Sequence, residues 1–217
     1  MLTTTTALFP LLCSLVASLS LASTVTERAS RAPCQTDPIL ARYGFFGGIT
    51  DRVTHFGLDA AFQVVEPSKA VISQFNASFE VCSALGPASL TYPQLESPVY
   101  GRIVLTPSLG GPHTCLTIIN PSDAQSGKPL FARAQACDGD VTPAVSQRWI
   151  YGYLDDFGGM FWVGGPNTPG HKDGYGLLET DTLPSGALIT DKSGRIELAL
   201  RTKPPQGGRV LDFEFLD

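Results

Sequence analysis

The chain's metal-binding candidates are three histidines, His55, His113 and His171, which lie far apart and share no i, i+4 spacing. A zinc site is therefore not expected unless folding gathers them. No Gly-x-Ser-x-Gly elbow is present, so the marker of the common α/β-hydrolase route to a nucleophilic serine is missing. Asp138-Gly139-Asp140 sets two carboxylates about a turn, but the other positions of a calcium loop are absent and it reads as a hairpin turn. Paired carboxylates for glycoside hydrolysis would need a separation in space that sequence does not fix. The expectation is a protein without catalysis and without a cofactor.

The residues with the clearest joint role are Gln147 and Trp149. Two residues apart on a strand, they point to the same face, so the indole can fill a core while the amide bonds nearby backbone. The elements around them read as β. From Gly47 onward, short runs with period two alternate with Gly, Pro, Asn and Asp, the pattern of an all-β sandwich or barrel. Ile103 and Leu105 share a face, as do Ile196, Leu198 and Leu200, and near the end Leu211, Phe213 and Phe215 stand together against Asp212 and Glu214. Gly101-Arg102-Ile103-Val104-Leu105 is echoed by Gly194-Arg195-Ile196-Glu197-Leu198, with a fainter copy at Gly47-Gly48-Ile49, which reads as internal repetition.

Residues 1–22 carry no charged side chain, and 7–22 are apolar or small, ending in Ser20-Leu21-Ala22. This reads as a cleaved signal peptide, too short to span a bilayer comfortably, so membrane insertion of the mature chain is not expected. Residues 23–46 read as an N-terminal arm and 47–217 as one domain, a length that buries roughly 70% of the unfolded chain's surface. Cys13 falls in the leader. Cys34, Cys82, Cys115 and Cys137 remain, an even count that fits two disulfides in a secreted chain, with three possible connectivities. Fifteen basic against 20 acidic residues give a net charge of −5 with no Lys/Arg run, which argues against a nucleic-acid partner. Asn76-Ala77-Ser78 is the usable glycosylation sequon, because Pro121 and Pro169 spoil the look-alikes at Asn120 and Asn167.

Cys115-Leu116-Thr117, Cys137 and Gln147-Arg148-Trp149 together resemble one repeat of a ricin B-type lectin, whose repeats read Cys-Leu-Asp, a second Cys and Gln-x-Trp. The resemblance covers 101–149. It implies a β-trefoil-like barrel of short antiparallel strands, a Cys115–Cys137 disulfide and, with it, Cys34–Cys82. It further implies a carbohydrate-binding module whose partner is a glycan or glycoprotein. In that family an Asp after the Cys-Leu pair, an aromatic ring and an Asn or Gln hold the sugar. The carboxylate accepts bonds from two hydroxyls while the ring covers the C–H face. Thr117 stands where that Asp should be, so this repeat reads as structural. Asp59 and Asp212 follow similar Leu residues, but the favoured set is Asp155 or Asp156 as hydroxyl acceptor, Trp162 as stacking ring and Asn167 for orientation. Trp162 in the core is the competing reading. The rival to a lectin is a secreted trefoil that binds protein, such as a protease inhibitor.

Overall fold

β-branched and aromatic residues recur at alternate positions between Gly and Pro breaks, and the chain forms antiparallel strands joined by short 3₁₀ turns. The computed structural model describes residues 33–36, 46–48, 54–73, 75–86, 96–107, 113–154, 157–181, 186–211 and 213–215. Its strands are β1 (Gln35–Thr36), β2 (Phe46–Gly48), β3 (Thr54–His55), β4 (Gly57–Leu58), β5 (Val64–Val65), β6 (Phe75–Val81), β7 (Glu96–Pro107) and β8 (Thr114–Ile118). There follow β9 (Ala132–Gln135), β10 (Trp149–Leu154), β11 (Phe157–Trp162), β12 (Tyr175–Thr180), β13 (Leu198–Leu200), β14 (Gly208–Leu211) and β15 (Glu214–Phe215). The largest sheet runs β1-β6-β7-β10-β11-β12-β13, with β14 on β12 and the β8-β9 hairpin branching from β7. The all-β expectation holds, and among the described residues no sheet closes on itself. No helix among them is long and apolar enough to cross a membrane.

Both disulfides form the pairs that the resemblance implies. Cys115 is bonded to Cys137 and Cys34 to Cys82, with Cα separations of 4.8 and 4.2 Å. The second bond and the pairing of Gln35 and Thr36 with Val81 and Glu80 fasten Cys34, Gln35 and Thr36 to the edge of the main sheet. Ile103, Leu105, Ile196, Leu198, Leu211 and Phe213 are all buried, as their alternation predicts. They pack with Phe79, Trp149, Met160 and Trp162 in one core.

Three hairpins meet in a ring that the sequence repeats did not reveal. In each, an Asx side chain closes the turn. Asp59 Oδ1 accepts the Gln63 N–H at 2.8 Å, Asn120 Oδ1 the Phe131 N–H at 3.0 Å, and Asp191 Oδ1 the Arg195 N–H at 3.0 Å. The residue before each of those N–H groups then offers its carbonyl to a neighbouring hairpin. Ala134 donates to Phe62 at 2.8 Å, Glu66 to Gly194 at 3.0 Å and Leu198 to Leu130 at 2.8 Å. Within this matched set each hairpin gives one bond to a second and takes one from a third. Gln63, Phe131 and Arg195, the matching residues, converge at the centre: Arg195 donates to Gln63 Oε1 at 3.3 Å and lies over the Phe131 ring at 4.2 Å.

This ring defines which positions correspond, and it separates the two segments that look alike in sequence. Gly101 lies within the paired strand β7, where a Cβ would come within 2.4 Å of the Phe79 ring. Gly194 sits in the turn of the third hairpin at φ +81°, a conformation open to glycine. The two glycines answer different constraints, so the likeness does not mark a structural repeat.

Candidate functional site

The 115–149 segment is a structural unit. Gln147 is fully buried, and its amide nitrogen donates to Thr117 Oγ1 and to the Ala136 carbonyl, both at 2.9 Å, while Oε1 accepts the Asp138 N–H at 2.7 Å. Thr117 itself donates to the Cys115 carbonyl at 2.9 Å. Trp149 fills the core edge-on to Phe213 and donates its indole N–H to the Leu116 carbonyl at 2.9 Å. Every polar atom in this set faces inward, so none is free for a ligand.

Of the residues expected to hold sugar, Trp162 and Asn167 are among the described ones, and they are placed differently. Trp162 is fully buried, packs against Tyr175 and donates to the Val145 carbonyl at 3.0 Å, so it offers no face to a ligand and is a core residue. The physical reason is its register: it stands opposite Trp149 across β10 and β11, and directly opposed side chains share a face. Asn167 is exposed on the turn 164–173. Asp155, Asp156 and Asp212 lie outside the described residues. Asp59 is spent on its own turn, accepting from Ala61 and Gln63. Asn76 lies in β6 opposite Thr106. Two of the histidines go separate ways, His113 to Thr106 and His171 to Tyr100. Among the described residues no cluster suited to a metal occurs.

A cleft of about 230 Å³ opens instead between the second and third hairpins. Pro129, Pro169, Pro205 and Leu200 contribute apolar wall, Tyr175 borders it, and Glu197, Lys128 and Lys203 contribute charge. Glu197 reaches this surface because Ile196 and Leu198 on either side of it face the core. Partial burial, and then the charge of Asp191, raise its carboxyl above the usual range. Burial followed by Asp173 likewise raises the Tyr175 phenol, whose hydroxyl donates to the Pro169 carbonyl at 2.9 Å. Chemically the cleft offers one acceptor of two hydrogen bonds beside an apolar wall, with ammonium groups at hand. Sequence reading missed Glu197. Its one signal was a charged residue between two core positions, and the wall it faces comes from residues distant in the chain. Comparison with family models, curated proteins and solved structures gave no match to this chain.

Proposed function

We propose that this protein is a secreted carbohydrate-binding module on a β-trefoil scaffold, without catalysis, and that the cleft carrying Glu197 is where sugar is held. The carrying observation is Glu197, a half-buried carboxylate with no hydrogen-bond partner among the described residues, beside proline and leucine surface. A carboxylate that accepts from neighbouring hydroxyls, next to apolar surface for a C–H face, is the chemistry sugar recognition uses. The scaffold reading is supported by the cyclic exchange of hydrogen bonds among three hairpins, as a threefold pseudo-symmetric fold requires. Two disulfides and the apolar leader support secretion.

The test is a glycan array followed by titration of the wild type and of Glu197→Ala with the best binder. Loss of a hydrogen bond to a charged group costs roughly 1.5–3 kcal/mol, so binding should fall about 10- to 100-fold. Unchanged affinity would place the sugar elsewhere. A protein-binding module is the second reading, and one observation favours it. The residues three before Asp59, Asn120 and Asp191 are Phe56, Thr117 and Leu188, so the site where the resembled family keeps its Asp holds no carboxylate in any hairpin. Nanomolar inhibition in a protease panel, with no glycan bound, would decide for it.

A further inference from the structure

Phe62 is the one non-glycine residue with positive φ among those described, at +60°. A bulky side chain is rarely found there, because its Cβ crowds the adjacent backbone. The matching residue of the third hairpin is Gly194, at φ +81°, the residue type this backbone favours. In the second hairpin it is Leu130, fully buried. The backbone of Phe62 is held on both sides, its N–H by the Asp59 carbonyl and its own carbonyl by Ala134. Its ring is not. The residue is 45% exposed and its ring has no aromatic or cation partner among the described residues. In this hairpin the backbone bonds hold residue 62 in the left-handed region while nearly half of the residue stays open to solvent.

We infer that Phe62 is a ligand contact, a stacking platform for the C–H face of a pyranose ring and a subsite separate from the Glu197 cleft. Its surroundings fit a hydroxylated ligand more closely than an apolar protein surface. Asp59 and Gln63 lie in the same turn, and Arg133 pairs with Gln63 across the hairpin junction. Arg133 is exposed and gives Nε to Gln135, which leaves its other N–H donors for hydroxyl groups. An exposed ring on the hairpin that Arg133 bridges offers stacking, with guanidinium N–H donors on the adjoining strand for hydrogen bonding. Two weak subsites on one rigid scaffold raise avidity toward a polysaccharide without any new contact. This inference rests on the carbohydrate reading above, and the test separates the two.

Wild type, Phe62→Gly, Phe62→Trp and Glu197→Ala would be melted and titrated with soluble fragments of β-glucan, chitin, mannan and galactan. Phe62→Gly should melt at or above the wild-type temperature, because glycine relieves the left-handed turn, and should lose at least tenfold in affinity. Phe62→Trp should bind within about threefold of wild type. This holds for the platform even if Glu197→Ala binds normally, which would overturn only the cleft assignment. A Phe62→Gly protein that melts lower shows that the ring serves packing, and the inference fails. Equal binding by wild type and Phe62→Gly, with loss in Glu197→Ala, also overturns it and leaves the carbohydrate reading in place. A wild type that binds none of the fragments overturns both.

Discussion

Trp149 and Trp162 stand opposite each other on β10 and β11, both fully buried, yet they secure different segments. Trp149 bonds the carbonyl of Leu116 and so ties β10 to the β8-β9 hairpin. Trp162 bonds the carbonyl of Val145, in the 3₁₀ turn Val145–Gln147 that carries the buried amide. The two indoles thus brace one turn, the first through the hairpin that Gln147 bonds and the second from the strand that follows. In the stretch after Trp149, Trp162 supports the Gln-x-Trp unit from within the core.

The largest effect that could break this comparison is loss of either ring. Trp149→Ala and Trp162→Ala should each destabilise by about 3–5 kcal/mol in chemical denaturation, since both leave cavities in the same core. If Trp162→Ala kept wild-type stability and lost only ligand binding, the equivalence of the two indoles would be refuted. A smaller effect sharpens it. Gln147→Leu takes the amide from the Ala136 carbonyl and the Asp138 N–H and leaves the Thr117 hydroxyl only its bond to Cys115, at a cost of about 1–3 kcal/mol. Because Trp162 holds the same turn, Gln147→Leu combined with Trp162→Ala should depart from additivity in a double-mutant cycle.

The smallest effect is a pH dependence confined to the Trp162 side, where Tyr175 packs on the indole. Burial and then Asp173 raise the folded phenol above its unfolded value. Its contribution is fully present below the unfolded pKa and is lost as pH rises through the folded one. Alkaline titration followed by tryptophan fluorescence should show a shallow loss of stability in wild type that is absent in Tyr175→Phe. An identical decline in both would assign the alkaline step to other groups.

What could be read in the sequence depended on distance along the chain. Gln147 and Trp149 are both buried as expected, but Gln147 lies in the 3₁₀ turn Val145–Gln147 and Trp149 alone is on a strand, so period two accounts for the tryptophan and the turn for the amide. The same logic served Ile103, Leu105, Ile196 and Leu198. Trp162 was ambiguous because its burial is decided by the strand across from it, and a ring followed by a Gly-rich turn reads equally as core or as platform. The hairpin ring was hidden for a related reason. Its turns differ in length, from Asp59–Gln63 to Asn120–Phe131, and one uses Asn where the others use Asp, so no fixed period survives. Glu197 was legible as a surface position, but the Pro129, Pro169 and Pro205 wall beside it was not.

The hairpin ring has a kinetic consequence. Its closing bonds link Phe62 with Ala134, Glu66 with Gly194, and Leu130 with Leu198, all across long stretches of chain. The entropy of closing those loops is lost before any of the bonds can form, which places folding among slow, high-contact-order β domains, on a scale of about milliseconds to seconds. Removing one hairpin would strand a donor on one survivor and an acceptor on the other. The three therefore do not behave as separable modules, and a truncation at any of them should unfold the whole.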